Sequence, residues 1–282
     1  MPFFVFARPR NLSRVCGYPP PLMKQIPATI PLWSSSPEIR LELYLPTKPV
    51  AMPVPLVIVC PGGCYGFISE TEAKPIATRL NEDGYAAAVL YYRVAPHGFP
   101  APYSDACRAV RLMRSRAEEW NLDPGKIALM GFSAGGHLSA LVGTSPELYL
   151  DPADDLAGKV SARPDGIILC YPVISMTEFA NELSVRNLLG EDVSMDKRRL
   201  FSLDKRVTRQ TPPVFLWHTA KDDPVPPENS LTFAAACVAH EVPLELHIFP
   251  GGYHGMNLAL EDSPIAQWSA LLIKWLGQWA KR

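Results

Sequence analysis

The chain has 282 residues with 27 Lys and Arg against 28 Asp and Glu, a formal net charge of −1. Near-neutral charge argues against nucleic-acid and membrane-surface binding, which rest on clustered basic residues. Its 30 prolines, about twice the usual ~5%, exclude an all-helical bundle.

Residues 1–37 are rich in proline and are expected to form an irregular arm. Phe3 to Ala7 is too short for a signal-peptide core of about 7–15 residues. No stretch approaches the ~18 apolar residues of a membrane span. None of the six cysteines forms a C-x-x-C pair, which favours reduced thiols and a cytoplasmic location. Export by an atypical N-terminal segment is the alternative.

Residues 38–282 read as one domain. Glu38 to Leu45 alternates charged and apolar residues, the period of a half-solvated strand. Leu56 to Cys60 is continuously apolar, as suits a strand buried on both faces of a parallel sheet. Helix and strand patterns then alternate: helix 70–83, strand 85–91, helix 104–120, strand 127–130, helix 134–142 and strand 166–171. The last units are strand 214–218, helix 230–240, strand 244–249 and a closing helix. The closing helix carries Ile265, Trp268, Leu272, Trp275 and Trp279 on one face, reading as core rather than a sugar platform. Such alternation gives an α/β fold, a mostly parallel sheet with helices on both faces. Residues 172–211 interrupt it and are expected to be a lid or helical insertion.

Gly131-Phe132-Ser133-Ala134-Gly135 stands between a strand and a helix. There G-x-S-x-G makes a sharp turn that lifts a serine hydroxyl above the sheet. A hydroxyl needs a base to become nucleophilic. Of six histidines, His254 alone combines a loop after the last strand with flexible glycine flanks. His97 is conceivable, whereas His137, His218, His240 and His247 fall on or at the ends of helices and strands. The acid that orients the base is Asp222 or its neighbour Asp223, both after strand 214–218. The D-x-x-V-P spacing favours Asp222. The order Ser133, Asp222, His254 is that of a strand-turn-helix hydrolase. Small residues after strand 56–60 offer backbone N–H groups of Gly63 and Cys64, joined by Ala134, as oxyanion donors.

Pro61-Gly62-Gly63-Cys64-Tyr65 resembles the H-G-G-G loop of hormone-sensitive-lipase-like esterases. Tyr92-Arg93-Val94-Ala95-Pro96 is similar to their Y-R-L-A-P segment. The Pro61-Gly62-Gly63 form and Trp217 to Asp222 resemble bacterial acetylesterases, including acetyl-xylan-esterase-like proteins. The resemblance, to the esterase branch of the α/β-hydrolase superfamily, runs from about residue 38 to the C-terminus. Pro61 departs from the usual histidine and Cys64 from the third glycine, so Cys64 should take a backbone angle that suits a Cβ. The resemblance implies a serine carboxylesterase acting on short acyl esters, acetyl foremost, with acetylated sugars as candidate substrates. It implies no cofactor and no metal. The expected partner is a small-molecule ester, without nucleic acid or membrane, and association of copies stays open. A peptidase of this fold, or a non-catalytic ligand-binding homologue, is the alternative.

Overall fold

The computed structural model describes residues 29–46, 53–148 and 157–281. Most of the expected N-terminal arm, residues 1–28, lies outside the described residues, as does Cys16.

Among the described residues, eight strands form one sheet in the order β1-β2-β4-β3-β5-β6-β7-β8. At its first edge, Thr29–Trp33 (β1) pairs antiparallel with Ser36–Tyr44 (β2), which pairs antiparallel with Ala86–Tyr91 (β4). Val54–Cys60 (β3) then lies parallel between β4 and Leu122–Phe132 (β5). Gly166–Cys170 (β6), Val214–Thr219 (β7) and Leu244–Phe249 (β8) continue in parallel to the far edge.

Strand β3 shows why its sequence is continuously apolar. Leu56, Ile58 and Cys60 enter one core and Val57 and Val59 the other, all with no exposed surface. The first core is covered by Ala101–Ser115 (α2), Ala134–Thr144 (α3) and Glu228–Ala239 (α6). Lys74–Glu82 (α1) and Ser263–Trp279 (α7) cover the second. The tryptophans of α7 are core residues: Trp268, Trp275 and Trp279 are all buried. Trp268 stacks on Trp217 of β7 with centroids 4.9 Å apart and donates its Nε1–H to the Asn257 carbonyl.

Ordered structure begins before residue 38, inside the segment expected to be an arm. In β1, Ile30 and Leu32 alternate inward and are buried. Pro31 masks this pattern in the sequence, yet a proline is compatible with an edge strand, and among the described residues no strand lies outside β1 to need its N–H. Strand β5 also begins five residues earlier than the apolar run suggests, at Leu122, which pairs with Val54.

Residues 172–211 contain Glu182–Leu189 (α4) and Met195–Leu200 (α5), each N-capped by a side chain, Asn181 and Ser194. Val185 and Leu188 of α4 are buried in the first core. The Leu188 carbonyl accepts from Phe99 N–H, and Asn187 Nδ2 donates to the Cys64 carbonyl. The segment is thus a helical insertion packed on the loop that follows β3.

Trp268→Ala should destabilise the protein by about 3–5 kcal/mol, through the cavity and the lost stacking. Urea denaturation measures it; an unchanged midpoint would contradict this assignment of Trp268 to the core.

Candidate active site

The carboxyl ends of β3, β5, β7 and β8 open at one edge of the sheet, because parallel strands share a direction. In open α/β sheets this edge is where ligands bind. Each of these strands runs into a loop carrying one of the residues singled out in the sequence.

Ser133 lies between β5 and α3 with φ 51° and ψ −117°, a strained conformation for a residue with a Cβ. The turn is possible because its neighbours lack side chains. A Cβ on Gly131 would lie 2.0 Å from the Gly135 carbonyl oxygen, and one on Gly135 2.0 Å from that of Cys60. Hydrogen bonds hold the turn to the sheet: Ser133 N–H donates to Cys170, and the Ser133 carbonyl accepts from Val173.

His254 arrives from the loop after β8. Its Nε2 stands 2.8 Å from Ser133 Oγ, and its Nδ1 2.7 Å from Asp222 Oδ2. With a carboxylate as acceptor, Nδ1 carries the proton and Nε2 accepts from the Ser133 hydroxyl. The Tyr171 ring packs edge-on against the imidazole at 5.2 Å.

Asp222 is buried and turned inward, whereas Asp223 is exposed. Its Oδ1 accepts the Val225 N–H at 3.0 Å. Oδ2 receives His254 and, at 3.2 Å, Nε2 of the buried His218. That nitrogen also lies 2.9 Å from the Val225 carbonyl, so it carries a proton and its Nδ1 accepts from Ser230. Burial pushes the Asp222 carboxyl up, but hydrogen bonds from His218, His254 and Val225 and the charge of His254 outweigh it. The net direction is down, favouring the ionised acid.

The loop after β3 comes within contact range of Ser133. A Cβ on Gly62 would lie 3.0 Å from Ser133 Cβ. Gly63 adopts φ 126°, and a Cβ there would strike the Phe67 carbonyl at 2.1 Å. Among the described residues, the N–H groups of Gly63, Cys64 and Ala134 have no protein acceptor. Cys64 departs from expectation. It adopts φ 51°, in the left-handed region, so the loop keeps a glycine-like path despite the Cβ. The bond from Asn187 to its carbonyl helps to hold it there. Burial pushes its thiol up, away from the thiolate a nucleophilic cysteine requires.

The other histidines are accounted for. His97 and His240 are exposed, and His247 bonds Glu245 at the surface of β8. His137 is fully buried between the Tyr65 hydroxyl at Nδ1 and the Phe201 carbonyl at Nε2. Two members of the site were not singled out in the sequence, His218 as a support of Asp222 and the buried Glu72. The four-residue spacing from His218 to Asp222 is the only local signal for the first. Glu72 gives none, because its partners are distant in the chain.

The fold is that of the α/β-hydrolases, and the relatives place the chain in the esterase branch of that superfamily. The BD-FAE family model matches residues 41–237, and the chain belongs to that family. It is 37% identical to endo-1,4-beta-xylanase B of Butyrivibrio fibrisolvens, over 76% of this chain and 34% of that protein. It is 31% identical to an acetylxylan esterase of Xylanibacter ruminicola, over 86% of this chain and 48% of that protein. The chain therefore spans less than half the length of either curated relative. Among solved structures, an acetyl ester-xyloside bifunctional hydrolase from Caldicellulosiruptor lactoaceticus shares 43% identity with a TM-score of 0.83. That match covers 89% of this chain and 95% of the other. The carboxylesterase Cest-2923 from Lactobacillus plantarum matches at 28% identity and a TM-score of 0.71, covering 86% and 93%.

His137 supplies a pH test of this site's support. Burial lowers its pKa to about 4, against the carbonyl bond that raises it. The unfolded chain therefore takes up a proton near pH 6.5 that the folded one refuses. Its contribution is present above pH 6.5 and is lost on acidification towards pH 4, by up to about 3 kcal/mol. Urea unfolding across this range should show a shallower acid-side decline in His137→Gln than in the wild type. Equal slopes would contradict this.

Proposed function

We propose that the chain is a serine carboxylesterase that hydrolyses short acyl esters, acetyl foremost, on sugar hydroxyls. The observation that carries this reading is the unbroken relay from Ser133 through His254 to Asp222, beside three idle backbone N–H groups. The names of the relatives, acetylxylan esterase and acetyl ester-xyloside hydrolase among them, support the substrate class.

In this reading Ser133 Oγ attacks the ester carbonyl while His254 Nε2 takes its proton. The imidazolium is stabilised by Asp222, itself held ionised by His218 and Val225. The N–H groups of Gly63, Cys64 and Ala134 bind the oxygen on which negative charge develops. His254 then protonates the leaving alcohol, giving an acyl-enzyme on Ser133. Water, deprotonated by His254, releases the acid and restores the serine. The chemistry is completed by residues of this chain. The cytoplasm remains the proposed compartment, supported by free thiols at Cys60, Cys64, Cys170 and Cys237. Among the described residues, no helix is long and apolar enough to cross a membrane.

Ser133→Ala should lower kcat on p-nitrophenyl acetate by roughly six orders of magnitude, and Asp222→Asn by roughly four. Near wild-type turnover in Ser133→Ala would overturn the mechanism. Across acetyl, butyryl and decanoyl esters, kcat/KM should be highest for acetyl. Acetylated xylo-oligosaccharides should release acetate. A maximum at the decanoyl ester would overturn the substrate assignment.

A further inference from the structure

Glu72 belongs to a short turn, Glu70–Glu72, ahead of α1, and is only 4% exposed. A buried carboxylate is expensive unless its oxygens are matched. Here both are. Oε2 accepts the Gly62 N–H at 2.7 Å, and Oε1 accepts the Tyr171 hydroxyl at 2.6 Å. The Tyr171 oxygen in turn accepts the Asn257 N–H at 3.1 Å. Gly62 begins the loop of candidate oxyanion donors, and Asn257 stands three residues after His254. Tyr171 itself packs against the His254 ring and follows β6, beside the serine turn.

We propose that Glu72 is a positioning residue that fixes the oxyanion loop and the histidine loop in register with Ser133. This inference rests on the esterase reading above and deepens it. With the Gly62 N–H committed to Glu72, the following N–H groups of Gly63 and Cys64 remain for the substrate. Through Tyr171, the same carboxylate sets the backbone at Asn257 and the edge of the wall behind the imidazole. The chain Gly62–Glu72–Tyr171–Asn257 therefore couples the two halves of the machinery without touching substrate.

The residue types follow from the bonding. Two donors converge on one side chain, so both of its oxygens must accept, as an ionised carboxylate does. Glutamine offers one acceptor and one donor, and can satisfy Gly62 or Tyr171 in the same way, not both. Gly62 must be a glycine because a Cβ there would lie 2.9 Å from Glu72 Oε2 as well as against Ser133. Burial pushes the Glu72 carboxyl above its ordinary value, and the bonds from Tyr171 and Gly62 and the charge of His254 offset only part of that rise. The carboxylate thus also lies within electrostatic reach of the imidazolium that forms during turnover.

The test compares the wild type, Glu72→Gln, Tyr171→Phe and the double variant of the full chain on p-nitrophenyl acetate. Rates are normalised to Ser133 sites counted by exhaustive fluorophosphonate labelling and intact mass. Glu72→Gln should lower kcat about tenfold or more with KM changed less than about twofold, since transition-state donors are displaced and ground-state binding is not. Tyr171→Phe should lower kcat about threefold or more, and the double variant should be no worse than Glu72→Gln by more than about twofold. A merely structural role would reduce the number of labelled sites and leave kcat per site unchanged. That result, or losses that multiply in the double variant, would overturn the proposal. Should Glu72→Gln fail to fold, an unchanged kcat per site in Tyr171→Phe overturns it alone. Ser133→Ala separates the two readings: activity there refutes the esterase mechanism, whereas an inactive Ser133→Ala beside a fully active Glu72→Gln refutes only the role of Glu72.

Discussion

The backbone at Ser133 is held in a conformation that costs on the order of 1–3 kcal/mol for a residue with a side chain. Everything at the open edge of the sheet is arranged around that turn. It persists because β5 and α3 are locked on either side of it, β5 by parallel neighbours on both flanks and α3 by a fully buried face. Gly131 and Gly135 let the two elements approach until a carbonyl oxygen occupies the space of a Cβ. The result is a hydroxyl fixed at the start of a helix, where the helix dipole favours negative charge.

The second constraint is electrostatic. Asp222 has no exposed side chain, and a carboxylate in that position is stable only when its lone pairs are filled. Val225, His218 and His254 fill them, which leaves the imidazole with one orientation and one tautomer. The buried His218 stands to Asp222 as the buried Glu72 stands to the Gly62 N–H, each a bonded partner enclosed behind the loop it touches. Both are polar groups enclosed by the core and fully bonded, and such groups rigidify what they touch. The tryptophans of α7 extend this support outward, since Trp268 bonds the Asn257 carbonyl while stacking on the strand that leads to Asp222.

Much of this was legible in the chain itself. Strands β3 and β7 announce themselves as apolar runs, and the Gly131 to Gly135 turn is local, so Ser133 could be named from its neighbours. His254 followed from its place after the last strand. Asp222 and Asp223 could not be separated by composition, and spacing alone favoured the first; burial of one and exposure of the other is a tertiary property. Strand β1 was hidden by Pro31, whose edge position the sequence does not declare. Cys64 misled in a different way. The left-handed angle expected to demand glycine is kept with a Cβ, because Asn187 of the inserted helices holds the loop from the far side. Glu72 was invisible, since its partners lie 10 and 99 residues away.

The central claim is that Ser133 carries the acyl group during turnover. Acid quenching during steady-state hydrolysis of p-nitrophenyl acetate, followed by proteolysis and mass spectrometry, tests it directly. The account predicts an acetyl group on the peptide containing Ser133 and on no other peptide, absent from Ser133→Ala. An acetyl group on Cys64 or another residue, with Ser133 unmodified, would contradict it.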